Sequence, residues 1–295
     1  FNKFFKKKFM KKIRYLIEFL FIIILFLLFR ILGYKISSNL GSFIVSIFGP
    51  LFRSKKMIRD NIKKSLSLDD DKKISKIINN MWSNYGRILS DYIFIKKFRL
   101  GKLDEYIQIE GNEILDKIKN SKKPVIFISG HFNNFELMAM EIEKSGIKLA
   151  AIYRPLNNIF LNKVMEKIRV KYICKNQIKK GISGIRQMMK FFKENSSIAL
   201  MIDQRVSEGI QSNLFGIPAL TTTIPAQMVK KFSCDVVPVY IQRINKFKYK
   251  IKICDPMTFS KEDSLENITN HLNIWLEEKI KIAPSQWIWS HNRWK

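Results

Sequence analysis

The chain has 295 residues, of which 46% are hydrophobic, so it can fill the core of one large α/β domain or two small ones. This composition excludes a disordered protein. The 53 Lys and Arg against 25 Asp and Glu give a formal net charge of +28, which predicts polyanionic surroundings such as nucleic acid or anionic lipid. Because a chain rich in Lys, Ile and Asn is also typical of biased coding, charge alone does not choose between these partners.

The cysteines and histidines are few and scattered. Cys174, Cys234 and Cys254 lack CxxC spacing, which predicts reduced thiols facing the cytosol and no structural zinc. The three histidines are far apart in sequence, so no metal site is expected either.

The N-terminus has the pattern of a membrane anchor. Residues 1–14 hold seven basic residues and no acidic ones, and residues 15–29 are apolar except for Glu18. The uninterrupted apolar run 19–29 is shorter than the roughly 20 residues of a spanning helix, but residues 13–32 just reach that length. A signal peptide is disfavoured, because no small-x-small cleavage site follows.

A second apolar stretch, Ile36–Phe52, follows at once and contains Gly41, Gly49 and Pro50, which disfavour a long helix. One full crossing would send the rest of the chain outside, whereas an interfacial hairpin would keep both ends in the cytosol. Basic residues flank the stretch on both sides, so the topology stays open. We expect residues 1–53 to form the basic head and anchor, and residues 54–295 to form the soluble domain.

The soluble part predicts an α/β fold. Residues 55–100 carry apolar positions at helical spacing, with a cap at Asp69–Asp71. Beyond residue 105, short apolar runs alternate with helical ones, and helices are expected to begin near Asn133, Ile159, Ile182, Ile224 and Leu265. Candidate strands are Tyr106–Glu110, Pro124–Ser129, Lys148–Tyr153, Lys171–Cys174, Ile198–Asp203, Val236–Gln242 and Tyr249–Cys254. This order predicts a mostly parallel central sheet flanked by helices, with the last two strands forming an antiparallel hairpin.

A short motif follows one of these strands. The run Pro124–Gly130 is typical of a buried strand that ends at a glycine, with a helix after it. His131 therefore lies at the carboxyl end of a parallel strand, where open α/β sheets bind their ligands. Glu136, five positions later, can approach the imidazole, fix its tautomer and stabilise the imidazolium. His131 is thus a candidate general base with Glu136 as its partner.

This spacing alone is weak evidence, because a histidine that merely caps a strand–helix turn has the same pattern. The start of the helix also offers backbone N–H groups for an oxyanion or a phosphate. Apart from Ser129, no nucleophile is evident beside the motif. Direct transfer to a hydroxyl activated by His131 needs none.

Residues 130–136, Gly-His-Phe-Asn-Asn-Phe-Glu, resemble the G-H-x-G-N-W-E signature of the bacterial lipid A late acyltransferases, the lauroyl/myristoyl transferase family. Asn133 and Phe135 stand where the family commonly has glycine and tryptophan. Further blocks match in order: Tyr153-Arg154-Pro155 resembles Y-R-P-x-x-N, Asp203-Gln204 resembles D-Q, Phe215–Ala219 resembles F-F-G-x-P-A, and Gln286–Lys295 resembles the family's tail.

This resemblance implies transfer of a fatty acyl group from an acyl carrier protein thioester to a hydroxyl of a phosphorylated, already acylated glucosamine disaccharide. The reaction is expected at the bacterial inner membrane, with the catalytic domain facing the cytoplasm. Acidic acyl carrier protein, the phosphorylated glycolipid and the membrane are the expected partners, with no cofactor, no metal and no nucleic acid. The residues expected to bind substrate are Asn133, Arg154, Asp203 and Gln204. Arg154 is expected to bind a phosphate or to orient Glu136, and Asp203 to position an arginine or a sugar hydroxyl.

Two rival functions remain open. An acyltransferase of the same superfamily that acts on another glycolipid or a lysophospholipid shares the His-x4-acid pair, although the blocks at residues 203–204 and 215–216 favour the lipid A type. The net charge also suggests a membrane-tethered nucleic-acid-binding protein. That protein would need aromatic residues interleaved with a basic face, whereas the aromatic residues here fall largely in the anchor and the predicted core.

Overall fold

The computed structural model describes residues 2–295, with side chains from residue 6 onward. The helices are α1 (Asn2–Leu32), α2 (Tyr34–Phe48), α3 (Lys55–Leu66), α4 (Asp71–Arg99), α5 (Asn112–Ser121), α6 (Glu136–Lys144), α7 (Ile159–Ile168), α8 (Ile182–Lys193), α9 (Ile224–Phe232) and α10 (Leu265–Ile282). The strands are β1 (Ile107–Glu110), β2 (Ile126–Ser129), β3 (Leu149–Tyr153), β4 (Asn176–Lys179), β5 (Ser197–Met201), β6 (Ile210–Leu214), β7 (Ile217–Thr221), β8 (Val236–Arg243) and β9 (Tyr249–Ile253). Short 3-10 helices cover Gly49–Phe52, Asp104–Tyr106 and Pro284–Gln286.

The predicted N-terminal apolar helix is present as α1. Among the described residues, its segment Lys6–Leu32 is the one helix long and apolar enough to cross a membrane, with a mean hydropathy of 2.6 in its most apolar 18-residue window. Leu25, Phe26 and Phe29 on one face of α1 pack against α2 and α4. Gly33 separates α1 from α2 with a φ of 76°, which glycine adopts without strain.

Two helices, α3 and α4, follow the anchor and confirm the helical pattern of residues 55–100. Asp70 caps α4, because its carboxylate accepts from the backbone N–H groups of Lys72 and Lys73. Helix α4 is 29 residues long and buries Phe94 and Phe98 in the main core. It therefore links α1 and α2 to the main core.

The central sheet has seven strands in the order β1-β9-β8-β2-β5-β3-β4. All neighbours are parallel except β8 and β9, which form the predicted antiparallel hairpin. Strand β2 is buried along its whole length, as expected of a strand covered on both faces. In the register of β2 with β5, Ser129 lies opposite Met201, so the chain leaves both strands at the same edge of the sheet.

Two local predictions are corrected by the structure, and one hairpin was not predicted. Residues 171–174 are not a strand: a π-helix, Arg169–Ile173, extends α7 and buries Ile173 in the core, and β4 begins only at Asn176. The pair β6–β7 is an additional antiparallel hairpin, and its turn residues Phe215 and Gly216 both have positive φ, as two-residue hairpins require. Helix α6 begins at Glu136 instead of near Asn133, because Asn133 is in the left-handed region with φ 46°.

Candidate active site

His131 is held by Asp203, which follows the neighbouring strand β5. The Nδ1 atom of His131 lies 2.7 Å from Oδ1 of Asp203, and the backbone N–H of His131 donates to Oδ2 at 2.7 Å. The carboxylate thereby fixes both the ring and the backbone of the histidine, and it favours the tautomer with a proton on Nδ1. The other ring nitrogen, Nε2, is left to exchange protons with a substrate.

The Asp203 carboxylate is buried, and hydrogen-bond donors of the protein surround it. Its side chain is 0% exposed, and the indole Nε1 of Trp287 donates to Oδ2 at 2.8 Å. Burial by itself raises the pKa of Asp203, but the charge of His131 and the hydrogen bonds from His131 and Trp287 outweigh it, so the pKa lies below its ordinary value. Asp203 is therefore an ionised partner for the imidazole.

The reactive side of His131 opens to the exterior. Its side chain is 20% exposed, and the side-chain amide nitrogen of Gln204 lies 3.4 Å from Nε2. The ring of Phe135 packs edge-on against the imidazole, with a centroid distance of 4.9 Å. A group that approaches Nε2 therefore also meets the Gln204 amide.

Among the described residues, Glu136 makes no hydrogen bond or ion pair with His131, so the structure differs from the expected His131–Glu136 pairing. Its Oε1 atom accepts from the Arg169 Nε at 2.8 Å, from the Arg169 Nη2 at 2.6 Å and from the Tyr92 hydroxyl at 2.6 Å. The physical reason is the late start of α6, which carries Glu136 in its first turn toward α4 and the π-helix. Asp203 occupies the position that the sequence assigned to Glu136.

Asn133 shapes the turn between β2 and α6. Its side chain donates to Oε1 of Gln286 at 2.6 Å, and its backbone N–H donates to the Gln286 carbonyl at 2.9 Å. Only 2% of Asn133 is exposed. In place of the expected substrate contact, the geometry gives Asn133 a bond to the segment that begins at Pro284.

The backbone N–H groups of residues 131–134 in this turn already donate to groups within the protein. Those of His131 and Asn133 donate to Asp203 and Gln286, as described above, and that of Phe132 donates to the Gly130 carbonyl at 2.7 Å. The N–H of Asn134 donates to the Asn133 side chain at 3.0 Å. An oxyanion close to Nε2 of His131 therefore needs a donor other than these four, and the Gln204 amide lies 3.4 Å from that nitrogen.

Two further polar residues lie around this site. Arg154 is exposed immediately after β3. Burial, above all, lowers the pKa of His291, and Arg154 is among the nearby cations that lower it further. The Nε2 atom of His291 accepts from the backbone N–H of Arg205 at 3.1 Å, so His291 fixes the chain just after Gln204. The edge of the sheet thus brings together His131, Asp203 and Gln204.

The sequence model of bacterial lipid A biosynthesis acyltransferases matches residues 3–295. The chain belongs to this family. The lipid A biosynthesis palmitoleoyltransferase of Escherichia coli (strain K12) is 20% identical over 269 residues, which are 90% of this chain and 86% of that one. The lipid A biosynthesis lauroyltransferase of the same organism is 22% identical over 200 residues, 66% of this chain and 63% of that one.

One solved structure is also similar to this chain. The 1-acyl-sn-glycerophosphate acyltransferase PlsC from Thermotoga maritima matches with a TM-score of 0.42 and 15% identity. The match covers 85% of this chain and 98% of that chain.

The two departures of this lipid A acyltransferase family member from G-H-x-G-N-W-E fit the geometry. Position 133 has a positive φ, which glycine adopts freely and asparagine more readily than most other residues. Position 135 supplies the edge-on aromatic contact with His131, which a phenylalanine can make as a tryptophan can. Both substitutions preserve the turn that presents the histidine.

Several residues of the site have no predicted role in the sequence. Gln286 and Trp287 belong to the segment that resembles the family's tail, so their position in that block was an available signal. Tyr92 and Arg169, the partners of Glu136, lie in helical segments without a motif, and only the folded chain brings them to the site.

Proposed function

We propose that this acyltransferase transfers a fatty acyl group from acyl carrier protein to a hydroxyl of a phosphorylated lipid A precursor. The observation that carries the proposal is the 2.7 Å contact between His131 Nδ1 and the buried Asp203, with Nε2 open at the carboxyl edge of the sheet. Family membership supports the acyl transfer. The carrier protein, the acceptor and the roles of the residues are our inference.

The reaction needs one base that later acts as an acid. Nε2 of His131 removes the proton of the acceptor hydroxyl while the oxygen attacks the thioester carbonyl carbon. A C–O bond forms and leaves a tetrahedral oxyanion. When the oxyanion collapses, the C–S bond breaks and the imidazolium returns the proton to the leaving thiolate. The products are the new ester and the free thiol of the carrier protein.

Asp203 and Gln204 assist this step in different ways. Asp203 keeps the proton on Nδ1 and stabilises the imidazolium while it exists. The Gln204 amide, 3.4 Å from Nε2, donates to the oxyanion, because the backbone N–H groups of residues 131–134 are engaged within the protein.

Charge supports both proposed partners. Acyl carrier protein is acidic and the acceptor carries phosphates, and the net charge of +28 attracts both. Arg154 is exposed near His291, where it can bind a phosphate of the acceptor. We place the enzyme at the bacterial inner membrane, held by α1, with the site on the cytoplasmic side.

Glu136 has a positioning role in this mechanism. Glu136 is 7% exposed, and its ion pair with Arg169 and its bond from Tyr92 tie α6 to the π-helix after α7 and to α4. A buried charge of this kind is costly to leave without its partner. Loss of Glu136 is therefore expected to disturb the turn that carries His131.

The direct test replaces the base. His131→Ala should reduce acyl transfer by about 10²–10⁴-fold, the usual effect of losing a general base, while the protein remains in the membrane fraction. Activity is measured as the mass change of lipid A by one acyl chain in cells that depend on the variant. The matched control is His271→Ala, because His271 is exposed on α10 and bonds only to the Asn267 carbonyl among the described residues.

An acceptor panel separates the remaining alternatives. The purified enzyme is given acyl carrier protein thioester with a lipid A precursor, another glycolipid or a lysophospholipid. Faster transfer to either of the last two than to the lipid A precursor would contradict the proposed acceptor. Near wild-type transfer by His131→Ala would contradict the mechanism with any acceptor.

A further inference from the structure

Helix α2 has the reverse of the usual distribution of polar and apolar residues. The face packed against the protein holds Ser37, Ser38, Gly41 and Ser42, all buried. The opposite side, continued by the 3-10 helix Gly49–Phe52, exposes large apolar side chains. We call this set the α2 apolar stripe: Ile36 (59% exposed), Phe43 (64%), Ile47 (50%), Phe48 (53%), Leu51 (74%) and Phe52 (76%). A helix that faces water normally has its apolar side inward.

The inner face of α2 packs as helices do inside membranes. A Cβ atom on Gly41 would lie 2.4 Å from the carbonyl oxygen of Gly86 in α4, and one on Gly86 would lie 2.0 Å from that of Gly41. The hydroxyls of Ser42 and Ser83 bond at 2.7 Å across the same crossing. Close contact through glycine and serine is typical of helix pairs in lipid, where large apolar side chains face outward. The crossing also fixes α2 rigidly to the domain.

The dimensions and charges of the stripe specify how it would meet a bilayer. A 15-residue helix is about 22 Å long, which is less than the roughly 30 Å of the hydrocarbon core. Basic residues lie at both ends, with Lys35 before the stripe and Arg53, Lys55 and Lys56 after it, all exposed. Cations at both ends suit a helix that lies along an anionic surface better than one that points into the hydrocarbon.

We propose that α2 and the 3-10 helix after it lie in the interface of an anionic bilayer, with the α2 apolar stripe immersed among the acyl chains. The stripe adjoins α1, which packs on α2 and precedes it in the chain. Lys35 and Arg53 contact lipid headgroups. The domain is then held at two places, α1 and α2, so its orientation toward the membrane is fixed.

This arrangement places the site close to the lipid surface. Helix α4 lies between α2 and the His131 turn: its Gly86 touches α2, and its Tyr92 donates to Glu136. Packed helices are about 8–10 Å apart, so the motif lies roughly two helix layers from the lipid. The biological use of this docking rests on the proposed function, because only a lipid-borne acceptor needs it.

Fluorescent labelling tests the immersion without any assay of activity. Ile47→Cys and, as a control, Ile274→Cys on α10 carry an environment-sensitive nitrobenzoxadiazole label in a chain whose three native cysteines are replaced by alanine. The two positions match in exposure, at 50% and 55%. The full chain is reconstituted into vesicles of phosphatidylethanolamine and phosphatidylglycerol, with iodide on both sides of the bilayer or with nitroxide-labelled lipids.

The label at position 47 should emit at shorter wavelength, resist iodide and be quenched by nitroxide lipid. The label at position 274 should be quenched by iodide. Equal quenching by iodide at both positions would overturn the proposal. Protection of position 47 from both quenchers would also overturn it, because protein would then cover the stripe, as in a dimer of this chain.

A second variant tests whether the α2 apolar stripe affects acyl transfer. Ile47→Glu should lower transfer to an acceptor in vesicles by about tenfold, since one apolar side chain moved out of lipid corresponds to at least that factor in partition. Transfer to the same acceptor dispersed in detergent should be unchanged, and Ile274→Glu should change neither. Equal loss in vesicles and detergent would indicate misfolding and contradict the docking role. The base test at His131 fails or succeeds independently of these results.

Discussion

The pairing of two strands determines which carboxylate reaches His131. Ser129 at the end of β2 lies opposite Met201 at the end of β5. His131 and Asp203 each follow two residues later, so the register places them side by side at 2.7 Å. Trp287 then completes the environment of the carboxylate.

A comparison of two carboxylate variants tests this assignment. Asp203→Asn should lower kcat by about 10²–10⁴-fold with little change in KM, because the amide leaves the imidazole without its charged partner and favours the wrong tautomer. Glu136→Gln keeps an oxygen that can accept from Tyr92 and Arg169, but it loses the charge of the ion pair. It should therefore lower the midpoint of denaturant unfolding, while its kcat falls much less than that of Asp203→Asn. Steady-state kinetics and unfolding curves are measured on both proteins.

A larger loss of kcat in Glu136→Gln than in Asp203→Asn would show that Glu136, and not Asp203, is the partner of His131. A parallel loss of kcat and stability in Asp203→Asn would instead indicate that Asp203 serves the fold alone.

The histidine was predictable from the sequence and its partner was not. The pattern of strand, glycine and helix around His131 is local, so the residues themselves place the imidazole at the edge of the sheet. The pairing with Asp203 spans 72 residues and depends on which strands are neighbours. Glu136 is near in sequence, but the left-handed conformation of Asn133 delays the helix and turns the carboxylate away.

At the scale of elements, the segment from Pro284 to Trp294 supports the site through hydrogen bonds of Gln286 and Trp287. The side chain of Gln286 accepts from the Asn133 amide. It also accepts from the backbone N–H of Arg243 and donates to the Arg243 carbonyl. The indole of Trp287 bonds to Asp203, whereas that of Trp289 bonds to the Pro284 carbonyl at 2.6 Å. Both indoles are buried, but only one of them touches the dyad.

This difference makes the two tryptophans a matched pair. Trp287→Phe should lower kcat by about 2- to 10-fold, the effect of losing one hydrogen bond. Because the lost donor stabilised the carboxylate, the pKa of Asp203 should rise, and the acid limb of the kcat/KM profile should move to higher pH. Trp289→Phe should lose stability without moving that limb.

The measurement is the pH dependence of kcat/KM for both variants and the wild type. An acid limb that moves equally in both variants, or in neither, would show that Trp287 acts only as a core residue.

The sequence predicts elements well where their pattern is regular and their neighbours are local. The β8–β9 hairpin and the helices from Ile159 and Ile182 follow directly from periodicity. The segment 171–174 is misleading, because Tyr172 and Ile173 have strand-like side chains yet are held in a π-helix that packs against the core. The β6–β7 hairpin lacks the usual Asn-Gly turn, and Phe215 adopts the positive φ instead.

For the molecule as a whole, the buried dyad connects stability to pH. The pKa of Asp203 in the folded state is below its ordinary value of 3.8. The ionised carboxylate therefore contributes stability that is fully present above that value and is lost as the pH falls through the folded-state pKa. Relative to Asp203→Asn, the free energy of unfolding of the wild type should decrease as the pH is lowered below about 4.

Denaturant unfolding in detergent micelles, followed by tryptophan fluorescence, measures this difference over a series of pH values. A difference between the two proteins that stays constant across the series would contradict the linkage, since Asp203 would then have the same pKa folded and unfolded.

The fold class and the apolar N-terminal helix were accessible from composition and patterning, because both depend on many residues at once. The position of α2 was not, since an apolar stretch with glycines is compatible with a hairpin, a crossing or a core helix. The domain boundary at residue 53 stays a prediction, and the packing of Gly41 on Gly86 joins α2 to the residues beyond that boundary.

Gln286 and Trp287 are synthesised much later than the site residues that they contact. These residues follow their partners Asn133 and Asp203 by 153 and 84 positions. A ribosome that has just added Asp203 has synthesised both members of the dyad, but the carboxylate has no indole donor and the turn has no amide partner. Helix α1 has been available for insertion since early in synthesis. If α1 enters the membrane as proposed, the nascent chain therefore meets lipid long before its active site can be assembled.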